Sequence, residues 1–545
     1  MTDAWRADAE SASWRSWFGL PVMLLVLHAV LAWLGRAPGI LAGEDDSRYI
    51  ALARSLRGGQ YREIWSPDAP AHHMYPPGYS TLLAAWTAIG GEGFDWLVAL
   101  QIVLAVATLA LAFDAIRRVA PPVVALAAML ILAVNPHLLS SAGEVRSECA
   151  LGFVITLAFW ASVGLPRGGR QTAIILAAAI AAPMMRTAGI VLPAAVVADL
   201  FLARRYRDAA LSALLFAATV GPLIAWTMSD PAPLAGTSYA ADLVARDAGE
   251  SLGRGFIGRI IRSASFYPAQ AIPIILPVPT IAGTPIDNAI ATLIIVVGMG
   301  AGMFALFGRA RLGVLIVLAT AGMLSLWPWR AVRFLEPLLP LIVLLLLVGV
   351  ERATSLLNRR AEIAAIAAVT FIIACTGAAR SATQISAVRG CERGGVLPDA
   401  RCLTPQERAY FSAIRFVRDS LPRGSRIVTV KAASLFHYTD TPTLRASRLI
   451  VLDTVAFWNR LAELKADYVI IGEVHDSEWP GLGFRLQTRC ERLRIAAQYA
   501  PTTYVLRILP PDSAMATGNA CAEITRVVLE HQREGEEKRP RAQQK

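Results

Sequence analysis

Two adjacent carboxylates, Asp45 and Asp46, follow the first apolar run of the chain. Paired like charges raise the apparent pKa of the pair, and a carboxylate so tuned suits general-base work on a hydroxyl. A plainer role also fits, because acids in the first turn of a helix stabilise its positive end. Residues 45–59 are built that way, with acids first, Arg54 and Arg57 last, and Gly58-Gly59 as a stop. Tyr49, Ile50, Ala53 and Leu56 would share one face, fit to lie on a membrane surface. From these residues alone both readings stay open.

Further candidates come later. Glu148 follows Glu144, Arg146 and Ser147 and opens an apolar run. It either faces water or supplies a second acid. Arg186 lies between two short apolar segments. An Arg at bilayer depth costs roughly 2.5–3.5 kcal/mol, so it calls for a partner. A lipid phosphate suits it, since guanidinium binds phosphate in bidentate fashion. Arg330 and Arg333 repeat the pattern within Trp327–Phe334, where an interfacial Trp/Arg belt is the alternative. Tyr75-Pro76-Pro77-Gly78-Tyr79 reads as a rigid entry into a helix over 79–89. With Tyr49, its Tyr75 and Tyr79 are candidates for positioning a substrate. His72-His73 point different ways, so no metal is assigned to them. A divalent ion is compatible with such chemistry, but the sequence offers no ligand set for one.

These residues sit among elements that only a membrane accommodates. Of 545 residues 55% are hydrophobic and 17% charged, with a mean hydropathy of +0.49. A soluble protein would carry nearer a quarter charged residues. About eleven spans are expected, near 18–35, 96–116, 120–136, 149–165, 171–185, 188–203, 209–228, 288–307, 312–328, 337–350 and 361–379. No small-residue cleavage site follows the first run, which reads as an anchor. Arg117-Arg118, Arg167 with Arg170, Arg204-Arg205 with Arg207, Arg309 with Arg311, and Arg359-Arg360 occupy short alternate loops. That bias puts residues 1–17 in the cytoplasm and everything after the last span outside, in a plasma membrane or bacterial inner membrane. The sequence thus divides into a membrane domain over 18–379, with long outer loops 36–95 and 229–287, and a soluble domain over 380–531. A charged tail, 532–545, reads as disordered.

The soluble domain reads as α/β. Thr404-Pro405-Gln406-Glu407 is a capping box that opens a helix to about Leu421. Strands are expected at Arg426–Val430, Tyr468–Gly472 and Thr503–Leu509, with a helix near Val455–Leu464. Four cysteines lie here: Cys391, Cys402, Cys490 and Cys521. An even number suits two disulfides in an oxidising compartment. Pairing Cys391 with Cys402 and Cys490 with Cys521 closes the shortest loops, one of three pairings. Zinc is the rival, but there is no CxxC.

The net charge of +11 needs no nucleic acid, because much of it is the inside-facing Arg set. No P-loop, GxSxG or HExxH occurs. Chemistry outside the membrane has no nucleotide donors, so an enzyme there needs a membrane-borne activated donor.

Several strings occur in a suggestive order: Asp45-Asp46-x-x-Tyr49 with Ala53, Pro76-Pro77-Gly78-Tyr79, Ser147-Glu148, Arg186-Thr187-x-Gly189, and Arg333-Phe334-x-x-Pro337-x-x-Pro340. Over roughly residues 18–350 the set resembles the GT-C membrane glycosyltransferases, most of all the group of protein O-mannosyltransferases and the lipid A aminoarabinose transferase. The resemblance implies an inverting transferase that uses a polyprenyl-phosphate-linked sugar. It maps the catalytic acid onto Asp45 with Asp46 beside it, a later acid onto Glu148, and phosphate contacts onto Arg186 and Arg333. Asp46 stands where many relatives carry Glu, and Gly-Tyr follows the prolines instead of Pro-Leu. The acceptor, whether lipid, glycan or protein, does not carry over. Two other functions use the same polar residues: a carrier or flippase for a lipid-linked or anionic substrate, and a non-catalytic membrane assembly subunit. No internal repeat or matched pair of broken helices speaks for a carrier.

Overall fold

Each of the eleven expected apolar runs coincides with a helix or a helix pair in the structure, a computed structural model. It describes residues 19–41, 43, 45–229, 252–279, 285–327, 329–355, 358–450, 452–472, 479–510 and 520–537. Among these, six helices are long and apolar enough to cross a bilayer. They are seven if Pro122–Ala133 and Pro136–Ala142, bent by 56°, count as one span. Four more apolar helices have 10–17 residues. The protein is a polytopic helical membrane protein.

The chain divides into two units. The first holds Met1–Arg36, Asp95–Leu223 and Gly249–Arg389. Its most buried helix, Leu339–Thr354, packs along Pro285–Leu306. A Cβ at Gly349 would lie 1.8 Å from the Gly298 carbonyl oxygen, so only glycine permits that approach. The bend after Ala133 has a local cause. The Asn135 side chain accepts from the amides of His137 and Leu138 and donates to Ile275 O at 2.8 Å. Pro136 then starts the new helix. Residues 229–287, expected as a loop, hold helices at Leu252–Phe266 and Ile272–Ile275.

The second unit holds Ala37–Phe94, Ile224–Ala248 and Gly390–Lys545. Its sheet comprises β1 (Ile427–Thr429), β2 (Thr443–Arg445), β3 (Tyr468–Ile471), β4 (Leu493–Tyr499) and β5 (Thr503–Ile508), in the order β2-β1-β3-β5-β4. Strands β1, β2 and β3 run parallel, and β5 is antiparallel to β3 and β4. Helix Pro405–Ser420 starts with the Thr404/Glu407 capping box, both arms formed.

Residues 37–94 group with this sheet and not with the membrane helices. Helix Asp45–Arg57 packs on Pro77–Gly90 and on Ala432–Thr439. The Thr443 amide donates to Trp65 O at 2.6 Å, and Tyr438 Oη donates to Ile40 O. The expectation that helix 45–57 lies on a membrane surface is therefore corrected. Tyr49, Ile50 and Ala53 are buried, as are Ser47, Arg48 and Ser55, so the helix is covered by protein on most sides. The expected disordered tail, 532–545, is corrected over residues 532–537. Helix Ala520–Glu537 runs through residues 532–537, because Ile524 and Val528 anchor it in the core and good helix formers follow. Residues 538–545 lie outside the described residues.

Two disulfides close this unit, Cys391–Cys402 with Cα atoms 6.0 Å apart and Cys490–Cys521 with 4.9 Å. Cys149 and Cys375 carry free thiols. Alkylation of unreduced, denatured protein should therefore label Cys149 and Cys375 alone. Chain-entropy arguments give the two bridges about 3 and 4 kcal/mol each. Labelling of all four sheet-unit cysteines in unreduced protein would remove both bridges from this account.

Candidate functional site

Asp45 and Asp46 occupy the first turn of helix Asp45–Arg57 in the second unit. They differ in their partners. Tyr75 Oη donates to Asp45 Oδ1 at 2.7 Å. Asp46 Oδ1 accepts from the Ser47 amide at 2.8 Å, which is the helix-start role. Burial and the Asp46 charge together hold the Tyr438 hydroxyl well above its ordinary pKa.

Tyr75 is fixed from several sides. Its ring stacks on Tyr49 at 4.8 Å, and Tyr49 meets Tyr79 edge-on at 4.7 Å. All three tyrosines are buried. The Tyr75 hydroxyl accepts from Arg48 Nη1 at 3.1 Å while it donates to Asp45. The structure thus joins Asp45 to all three tyrosines expected from sequence, and adds Arg48. Pro76 and Pro77 make this possible. They end the extended segment and start helix Pro77–Gly90, which carries Tyr79 inward.

The second cluster lies in the first unit. Glu148 sits in the first turn of helix Ser147–Gly164 and is buried. Arg186 Nη1 meets its Oε1 at 2.7 Å and also donates to Ser147 Oγ at 3.0 Å. Arg333 Nε stands 4.0 Å from the same carboxylate oxygen. Both guanidinium groups lie near the Phe334 ring, at 5.5 and 6.0 Å.

Local geometry explains the motif around Arg186. Helix Gly169–Met185 ends there, Arg186 is extended, and a tight turn Thr187–Ile190 reverses onto the helix. A Cβ at Gly189 would lie 2.1 Å from Ala182 O, so the return requires glycine. The later motif closes on the same region. Gly152 packs against Pro337, which brings the turn Val332–Leu338 beside the helix that carries Glu148.

No family model matches the sequence, and no curated protein matches it significantly. Solved structures do. ArnT, the lipid A aminoarabinose transferase, from Cupriavidus metallidurans in the apo state is 13% identical and aligns over 92% of this chain and 99% of its own, with a TM-score of 0.55. ArnT bound to undecaprenyl phosphate gives 0.53 at 12% identity, over 90% of this chain and 98% of its own. The archaeal oligosaccharyltransferase AglB from Archaeoglobus fulgidus, with an inhibitory peptide and a dolichol-phosphate, gives 0.55 at 13% identity, over 92% and 75%. All of these are GT-C glycosyltransferases.

This chain has the GT-C fold.

Placed on that fold, the expected site residues form two groups. Asp45, Asp46, Tyr49, Tyr75 and Tyr79 fall in the sheet unit, and Glu148, Arg186, Arg330 and Arg333 in the helical unit. Arg330 is exposed, while Glu148 is held between Arg186 and Arg333. Four further residues gain a role only from the structure. Arg48 reads as an ordinary helix cation until Tyr75 meets it. Glu63 and His72 form a buried pair described below. Glu336, inside the Arg333–Pro340 motif, is buried and accepts from Ser141 Oγ, with His137 Nδ1 at 3.8 Å. Its signal was available, since an acid one residue before a proline in an apolar run is costly unless partnered. Among the described residues no group of three or more His, Cys, Asp or Glu could hold a metal ion.

Proposed function

We propose that this protein is a glycosyltransferase. It moves a sugar from a polyprenyl-phosphate-linked donor to a hydroxyl of an extracytoplasmic acceptor, with inversion. The observation that carries this reading is the fold likeness along almost the whole of ArnT, which has been seen with undecaprenyl phosphate. The roles below are assigned from chemistry within each cluster.

Asp45 is the general base. The acceptor oxygen attacks the anomeric carbon, the bond from that carbon to the phosphate oxygen breaks, and the acceptor proton passes to Asp45. Polyprenyl phosphate leaves. Tyr75 orients the carboxylate, and Asp46 caps the helix and adds its charge nearby. Arg186 and Arg333 hold the charge that builds on the leaving phosphate, and exposed Arg330 contributes at longer range. Glu148, a buried carboxylate facing two guanidinium groups, positions Arg186 and does not act as a second base. The lipid tail stays in the bilayer and brings the reacting carbon to the membrane surface.

The direct experiment supplies purified protein with polyprenyl-phosphate sugars and candidate hydroxyl acceptors. Release of polyprenyl phosphate that depends on the acceptor is the expected result. Lipid movement across vesicles without cleavage would identify a carrier instead.

The topology proposed with it has eleven spans, a cytoplasmic N-terminus and residues 380–545 outside. The basic short loops motivate it. Reporter fusions after Arg118, Arg207 and Arg360 should read cytoplasm, and those after Gly59 and Arg426 the outside. A cytoplasmic reading at Arg426 would overturn the arrangement.

A further inference from the structure

Behind Tyr75 lies a buried pair that the reaction above does not use. Residues 61–72 form a short hairpin closed by bonds from the Glu63 amide to Pro70 O and from the His72 amide to Tyr61 O. The hairpin is tied to helix Asp45–Arg57 through Ser55 Oγ, which accepts from the Arg62 amide at 3.0 Å. Its far side is tied to β2 by the Thr443–Trp65 bond. Inside it, Glu63 and His72 are only 4% and 2% exposed.

The bonding of His72 fixes its tautomer. The Tyr75 amide donates to His72 Nε2 at 2.9 Å, so that nitrogen must present its lone pair. The proton of the neutral ring then sits on Nδ1, which donates to Glu63 Oε1 at 3.1 Å. The rings of Tyr61, Trp65 and Tyr75 pack around the imidazole at 5.3–5.8 Å. The charges facing it are Glu63, Arg48 and Arg445, and burial holds the ring below its ordinary pKa. An uninterrupted series of bonds therefore runs from Glu63 through His72 to the Tyr75 backbone, and from the Tyr75 hydroxyl to Asp45.

We infer that Glu63 and His72 are positioning residues for Asp45: the carboxylate holds the imidazole in one tautomer, the imidazole holds the Tyr75 backbone, and Tyr75 aims the Asp45 carboxylate. This inference rests on Asp45 being the base, but its structural core is testable without that. A merely structural pair would lower the amount of folded protein and leave the Asp45 environment of the folded fraction unchanged. A positioning pair changes the Asp45 environment in folded protein, through Tyr75.

The test uses full-length protein in detergent carrying His72→Gln, Tyr75→Phe or both. Two readouts are taken on the folded fraction: labelling of Asp45 by a water-soluble carbodiimide, followed by peptide mass spectrometry, and transfer kinetics. Tyr75→Phe and His72→Gln should each raise Asp45 labelling several-fold, and the double variant should add little to either. In kinetics His72→Gln should lower kcat about 10–100-fold, as small misplacements do, with donor KM within about twofold. In the Tyr75→Phe background it should cost less than about threefold more, because the two act in series. Unchanged labelling in His72→Gln, or equal losses in both backgrounds, overturns the inference. If His72→Gln does not fold, Glu63→Met carries the same cycle, since it removes the oxygen that accepts from His72 Nδ1. If wild-type protein transfers no sugar, the proposed function fails, and the labelling arm still decides the positioning role.

Discussion

Asp45→Asn is expected to lower sugar transfer by about 10²–10⁴-fold, the usual contribution of a general base. The substitution keeps size and shape and removes only the proton acceptor. The amide oxygen it introduces can still accept from Tyr75 Oη, the contact made at 2.7 Å in the native protein, so the fold and donor binding should survive. Asp46→Asn should cost far less. Its carboxylate oxygen accepts from the neighbouring Ser47 amide, a bond an amide oxygen can replace. Loss of its charge at the helix start is worth a few tenths of a kcal/mol to about 1 kcal/mol. The measurement is the initial rate of polyprenyl phosphate release at saturating donor, with folded protein normalised by thermal unfolding. Near-normal transfer by Asp45→Asn refutes the catalytic role and leaves the GT-C architecture standing.

The second large effect is expected at the buried ion pair. Arg186→Ala strips Glu148 of its 2.7 Å partner and leaves a buried carboxylate with Arg333 at 4.0 Å. Breaking a buried pair this way costs about 3–5 kcal/mol, and Arg333 should hold the loss near the lower end. Glu148→Leu with Arg186→Met removes both charges and should recover most of that stability. Activity separates the two roles of Arg186. Neither variant has the guanidinium that the phosphate needs, so donor KM should rise at least about tenfold in both. The check pairs thermal midpoints with donor titrations. If the stable double variant binds donor normally, Arg186 is a structural residue and the phosphate is held elsewhere.

Much of the architecture was legible in the chain because a bilayer makes simple demands. Long apolar runs must become helices when no water is present to satisfy the backbone, and the run expected at 209–228 is the helix Tyr206–Met228. The capping box at Thr404 and Glu407 was equally readable, since both of its bonds are local. So was Asp45, whose place at a helix start is written in the acids, arginines and glycines of residues 45–59. The missed strands β2 and β4 show the limit. Three residues of β2 carry no usable period, and it forms because β1 and Trp65 supply its partners. After buried Leu493, β4 alternates exposed and half-buried residues as an edge strand does, but its outward Arg494 and Gln498 break the apolar run.

Tertiary structure alone decided which residues meet. The first outer loop was readable as ordered, yet its apolar face suits a membrane surface as well as a protein core. Only long-range contacts, such as Tyr438 to Ile40 and Thr443 to Trp65, assign it to the sheet. The pairing of Glu148 with Arg186 and Arg333 spans up to 185 residues of chain, and no spacing rule predicts an ion pair at that range. Nor does sequence tell that His72, dismissed as half of an unpromising His-His pair, is set by Glu63 behind Tyr75. Local patterns follow from local energetics, which the chain carries with it. A site is built from side chains brought together by burial of the rest, and that burial is a property of the whole fold.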